Sequence, residues 1–126
     1  MTRLHTLTRS EHAEQVALIQ TVTAHLGSHP DLRWLYAVPN GGKRDRVTGA
    51  LLKAEGVKAG VPDLFLPVAR GSHPGLVIEL KVGRNTPTET QLEWLAHFQS
   101  QGWAVAVCYG ADAAWNAIRA YLGIDV

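Results

Sequence analysis

GVPDLFLPVARGSHPGLVIELKV, residues 60–82, is the stretch on which the reading of the fold turns. Asp63 to Val68 reads as a strand, Arg70-Gly71-Ser72-His73-Pro74-Gly75 as a turn, and Leu76 to Val82 as a second strand, adjacent to the first and antiparallel. Side chains alternate between the two faces of a strand, so Glu79 and Lys81 project together from one side while apolar neighbours pack on the other. These two charges interrupt the run Leu76-Val77-Ile78, Leu80 and Val82, which is too apolar for a surface edge. Burying charges there without partners costs several kcal/mol. Asp63, directly after Pro62, can reach the same point from the neighbouring strand. Two acids and one amine converge, the physical signature of a divalent-metal site.

Working outward, Thr8 or Ser10 is an N-cap for a first helix, with Glu11 at capping-box distance from Thr8. Ala13, Val16, Ala17, Ile19 and Gln20 continue that helix at helical spacing to near Gly27-Ser28. Trp34 to Val38 reads as a strand stopped by Pro39-Asn40-Gly41-Gly42, and a short helix is expected from a Thr48 cap through Leu51, Leu52 and Ala54 to Gly56. Beyond the central hairpin, Thr86 as cap, Pro87 at the first helical position and Glu89 completing a capping box open a helix that runs to Gly102. Trp103 to Tyr109 then reads as a strand, its run of Ala and Val suited to a central position covered on both faces. Asp112 caps a last helix carrying Ala113, Trp115, Ala117, Ile118, Tyr121 and Leu122. The order is helix, strand, helix, strand, strand, helix, strand, helix (αβαββαβα): an α/β protein with a mixed four-stranded sheet flanked by helices.

The 126 residues read as a single domain, 1–126, with no internal repeat, linker or low-complexity tract. An apolar fraction of 46% and a charged fraction of 18% are those of an ordinary globule rather than a disordered chain. Cys108 is the one cysteine, so no internal disulfide forms, and it reads as a small buried hydrophobe. No stretch approaches the ~20 apolar residues of a membrane span, and the start lacks the apolar core of a signal peptide. The expected setting is a reducing cytoplasm, bacterial or in a virus-infected host cell. A net charge of +1 does not announce nucleic acid, but Lys43, Arg44, Arg46, Lys53 and Lys58 crowd one segment, followed by Arg70, Lys81 and Arg84. A basic middle around an acidic pocket suits a phosphodiester, whose backbone charge the cations attract while metal ions occupy the pocket.

Cleaving a phosphodiester requires a more acidic attacking water, neutralisation of the charge added in the transition state, and a stabilised leaving oxygen. Mg²⁺ or Mn²⁺ held by carboxylates and a backbone carbonyl supplies all three. Asp63, Glu79 and the Leu80 carbonyl are the candidate ligands, and Lys81 is placed to orient the water or stabilise the phosphorane. An ammonium beside two carboxylates suits stabilisation better than general-base work.

Pro62-Asp63 with Glu79-Leu80-Lys81 resembles the motif of the PD-(D/E)xK nuclease superfamily. With Pro39-Asn40-Gly41-Gly42, Gly60-Val61-Pro62-Asp63-Leu64 and Pro87-Thr88-Glu89-Thr90-Gln91, then Leu92, Leu95 and Gly102-Trp103, the chain resembles the virus-type replication-repair nuclease branch, the VRR-NUC domain, from Glu11 to Cys108. That resemblance implies a restriction-endonuclease-like core and metal-dependent DNA hydrolysis leaving a 5′-phosphate. It further implies an additional acid on the first helix, matched by Glu11 with Gln15, with Glu14 as rival. Gln91 matches a recurrent position from which to hydrogen-bond the metal water or the scissile phosphate. Small members resemble viral and bacterial proteins, some of them homodimers acting on branched DNA such as four-way junctions.

Weighed against this are plainer readings. Glu79 and Lys81 alone would make a surface ion pair worth at most about 1 kcal/mol, but their apolar flanks and Asp63 opposite disfavour it. Asn40, Lys43, Arg44, Arg46, Lys58 and Arg84 are candidate DNA contacts or, equally, a solvated turn and surface. Gly41-Gly42-Lys43-Arg44 lacks the GKS or GKT of a phosphate-binding loop, so no nucleotide cofactor is expected. The histidines show no zinc spacing with Cys108, and the tryptophans read as core or interface anchors. A metal-dependent endonuclease is the leading function, and a non-catalytic nucleic-acid-binding module of the same fold the alternative.

Overall fold

The computed structural model describes residues 10–39 and 46–125, with Arg46 and Val47 described in backbone only. Its elements are α1 (Glu11–Ala24), a 3-10 helix (Pro30–Trp34), β1 (Tyr36–Ala37), α2 (Arg46–Ala54), β2 (Leu64–Leu66), β3 (Leu76–Lys81), α3 (Glu89–Ser100), β4 (Ala104–Tyr109) and α4 (Ala111–Leu122). The four strands form one mixed sheet in the order β1-β2-β3-β4. β1 to β3 are antiparallel neighbours, and β3 and β4 run parallel, joined by the α3 crossover. The α/β class and the αβαββαβα order are those the sequence implies.

The alternation of side chains splits the core in two. Leu64, Leu66, Leu76, Ile78, Leu80 and Cys108 face the side covered by α1 and α4, where Leu18, Ala114 and Ile118 are fully enclosed. Phe65, Val77 and Val105 face the other side, where Leu95 and Phe98 of α3 cover them with Trp103. Val77 thus shares the face of Glu79 and Lys81 and forms the apolar floor from which they rise. Phe65 is the hub of this second layer, edge-on to Phe98 and Trp103 and stacked on Tyr36. The β2–β3 turn is closed by reciprocal Arg70 and His73 backbone bonds of 2.9 Å, and the Tyr121 hydroxyl donates to the Val68 carbonyl at 2.6 Å, fastening the turn to α4.

Several local expectations shift, and one choice between alternatives is settled. The stretch from Trp34 to Val38 yields only the two-residue β1, because Pro30 starts a 3-10 helix that buries Leu32 and leaves Trp34 exposed under the Arg33 guanidinium. α2 begins at Arg46, ahead of the expected Thr48 cap. α1 is capped by Ser10, whose hydroxyl accepts from the Ala13 N–H; the rival Thr8 lies outside the described residues. α3 is capped by Thr88 rather than Thr86, and Gln91 instead of Glu89 completes the box. Both spacings satisfy the sequence rule, and the later one brings Thr90 onto Gly60. β4 is the sheet edge, not its centre: β3 takes the centre because the hairpin and the α3 crossover place a partner on each of its sides, and every residue of β3 is buried.

Candidate active site

The hairpin register builds the site. Leu64 pairs with Ile78, so one residue further out Asp63 stands opposite Glu79, and two residues out Pro62 faces Leu80. In an antiparallel pair such cross-strand neighbours have their side chains on one face, which brings the two carboxylates together. The Leu80 N–H donates to Asp63 Oδ2 at 2.7 Å and so orients that carboxylate. The Leu80 carbonyl, directed to the same side as its N–H, meets no donor at Pro62. The Asp63 carbonyl accepts from the Val38 N–H at 2.8 Å, holding this residue at the mouth of the sheet.

Glu79 is 1% exposed and Lys81 6%. Lys81 Nζ lies 3.4 Å from Glu79 Oε2, and neither buried Glu79 oxygen meets a donor in hydrogen-bonding geometry. Buried carboxylate oxygens of this kind are costly unless a cation completes them. Burial first, and then the neighbouring Asp63 charge, push the Glu79 carboxyl up to about 7, against the downward pull of Lys81. Asp63 is also raised, chiefly by burial and further by the charge of Glu11, with the Leu80 N–H acting in the opposite direction. Glu11, the first residue of α1, therefore acts on Asp63. Burial alone raises the Cys108 thiol to about 11, which suits a packing residue and not a nucleophile.

Asp63, Glu79, Lys81 and the Leu80 backbone come together, with Glu11 close enough to be felt. Glu14 goes elsewhere: its Oε1 accepts from the Ala111 N–H at 2.7 Å, so the carboxylate caps α4, where Gly110 rather than the expected Asp112 is the cap residue. Gly110 in turn donates its N–H to the Lys81 carbonyl at 3.0 Å. Gln91 spends its amide oxygen on the Thr88 N–H at 2.9 Å, within the cap of α3. Lys58 and Arg84 are exposed in the loops before Gly60 and after β3. Asn40, Lys43 and Arg44 lie outside the described residues, as does the side chain of Arg46.

Among the described residues no three His, Cys, Asp or Glu side chains form a ready metal cage. What converges is a pair of carboxylates with a backbone carbonyl, an all-oxygen set that fits a hard cation retaining several waters. The open oxygens of Glu79 are the observation that favours that fit. Sequence reading missed the Glu14 cap, which has no local signature because its partner lies at the other end of the chain. It also missed the flank of the site on β4, where Val107 pairs with Glu79 and Tyr109 with Lys81.

The model of the VRR-NUC domain family matches residues 9–112 of this chain. Among solved structures, a VRR-NUC domain protein is 27% identical and superimposes with a TM-score of 0.78, over 94% of this chain and 92% of its own. No curated protein matches the sequence.

Proposed function

Because the chain belongs to the VRR-NUC domain family, a nuclease family, we propose that it is a Mg²⁺- or Mn²⁺-dependent DNA endonuclease that hydrolyses phosphodiester bonds. The observation that carries this reading is the half-buried Asp63 beside the buried Glu79 on one sheet face, with Lys81 at 3.4 Å from Glu79. Asp63, Glu79 and the Leu80 carbonyl would hold the ion, with Glu11 reaching it directly or through water. When bound, the ion lowers the pKa of its water and neutralises charge on the phosphate. Asp63 is oriented for this by the Leu80 N–H, which fixes one of its oxygens. Lys81, held at its backbone by Gly110 and at its ammonium by Glu79, is placed to stabilise the negative charge that develops on the phosphate.

Branched DNA acted on by a homodimer is the form of the activity that fits one active site per small chain, because two symmetric cuts need two sites related by a twofold axis. Purified protein incubated in Mn²⁺ with linear, flapped and four-way-junction DNA tests both levels of the proposal. Metal-dependent cutting that EDTA stops, lost in Asp63→Ala and Glu79→Ala, is the expected result. Intact DNA of every shape at micromolar protein would sink the catalytic reading and leave a binding module. A monomer in sedimentation that cuts flaps better than junctions removes the junction-resolving homodimer alone.

A further inference from the structure

The face that carries the acid pair has an aromatic border. Because β3 and β4 are parallel and in register, Glu79 is flanked by Val107 and Lys81 by Tyr109. Ala104, Ala106 and Cys108 belong to the core under α1 and α4, so Val107 and Tyr109 point to the opposite face, that of Glu79 and Lys81. α3 covers this face only over Phe65, Val77 and Val105, and beyond that cover Val107 is 39% and Tyr109 46% exposed. A strand rich in small residues thus ends in its one large aromatic, uncovered, beside the buried lysine. Its position is rigid: the next residue, Gly110, turns the chain with φ 93° and ties its N–H to the Lys81 carbonyl at 3.0 Å.

We infer that Tyr109, with Val107 as its floor, is a stacking subsite for an unpaired nucleobase adjacent to the cleaved phosphate. This rests on the nuclease reading above and deepens it. Neighbouring strands lie about 4.8 Å apart, so the ring borders the place where a phosphate would meet Lys81, within reach of that nucleotide's own base or the next one. Every base has a π-face, and a tyrosine loses little conformational freedom on stacking, so the contact is strong and tolerant of sequence. A base inside a duplex has both faces covered by its neighbours. The subsite therefore selects DNA in which a base beside the cut is already unstacked, at a flap, a single-stranded flank or a branch.

The test is a cycle between protein and DNA. Wild type and Tyr109→Ala are titrated, with Ca²⁺ replacing Mn²⁺, against fluorescent flapped DNA and against the same DNA made abasic at single positions around the mapped cut. For wild type, one abasic position should weaken binding about five- to a hundredfold, the range of one base on one aromatic side chain. Tyr109→Ala should lose a similar factor on intact DNA and nothing further at that position, with an unchanged salt dependence because no phosphate contact is removed. Tyr109→Phe should restore the discrimination. Should Tyr109→Ala fail to fold, the abasic scan on wild type decides alone, and equal affinity at every position overturns the subsite. Binding and cutting by Tyr109→Ala equal to wild type overturns it while leaving the nuclease intact. A change from dimer to monomer in Tyr109→Ala assigns the ring to contact between copies and also overturns it. If wild type neither binds nor cuts any DNA, the nuclease reading and this inference fall together.

Discussion

At the scale of single residues, Glu79 governs how the protein answers to pH. Its carboxyl is raised from an ordinary 4.5 to about 7 in the folded chain, so between those values the folded state holds a proton that the unfolded state has released. Stability of the metal-free protein is then greatest below about 4.5 with respect to this group and falls as pH rises toward 7, the reverse of a salt-bridged carboxylate. Asp63, also raised, acts in the same sense. Thermal unfolding in EDTA should show a Tm that declines across this window and a flatter profile in Glu79→Gln; a Tm that rises with pH would place a stable charge where we place a strained one. Divalent-ion affinity should move the opposite way, growing with pH because the ligands must lose their protons. Lys81→Ala should still bind metal and DNA but cut slower by about two to three powers of ten, and Lys81→Arg should recover little, since a planar fork does not fit where a compact ammonium sits. Cleavage by Lys81→Ala at the wild-type rate would leave an ion pair in an ordinary sheet.

Between residue and molecule, the elements fix where those groups stand. Gly60, at φ +87°, lies so close to α3 that a β-carbon there would meet Thr90 Cγ2 at 2.5 Å. The Trp94 indole N–H donates to the Ala59 carbonyl at 3.1 Å beside it, so the start of α3 is clamped onto the turn that delivers Asp63. Gly60→Ala adds a forbidden backbone angle to a steric overlap and should cost about 2–4 kcal/mol in urea unfolding, with cleavage falling further than stability alone explains. A loss below about half a kcal/mol would mean that the contact is loose. On the opposite side, the Glu14 carboxylate joins α1 to the N-terminus of α4. Glu14→Ala should cost about 1–2 kcal/mol, as other caps do, and leave ion affinity intact, whereas Glu11→Ala should lower ion affinity and hardly touch stability. Calorimetry and an ion titration on the two variants separate the roles, and the opposite pattern would exchange them.

Across the whole molecule, protection from unfolding should follow the sheet. β3 is buried along its length between β2 and β4 and between two helical layers, while α2 carries Leu51 at 61% exposed and none of its described side chains is buried. Native-state hydrogen exchange should find the slowest amides in β3 and its neighbours in β4, opening only with global unfolding, and α2 should exchange by local opening several kcal/mol lower. Equal protection in α2 and β3 would contradict a site built on one rigid sheet. No helix among the described residues is long and apolar enough to cross a membrane.

Much of this was legible in the chain itself. The alternation around Glu79 and Lys81, the turn at Arg70 to Gly75 and the proline before Asp63 are local patterns, and they determine the hairpin, the α/β class and the convergence of two carboxylates and a lysine, because strand periodicity and turn chemistry act over a few residues. Tertiary structure decided what depends on partners distant in sequence. Ala104 to Tyr109 is apolar enough for the centre of a sheet and lies at its edge, since strand order follows from which strands the hairpin turn and the α3 crossover bring together. Glu11 and Glu14 are nearly equivalent in sequence, yet one acts on Asp63 and the other on Ala111, 97 residues away, because they stand about one turn apart along α1 and so meet different neighbours in the folded chain. The pairing of Tyr109 with Lys81, likewise, exists only through the parallel register that the α3 crossover imposes.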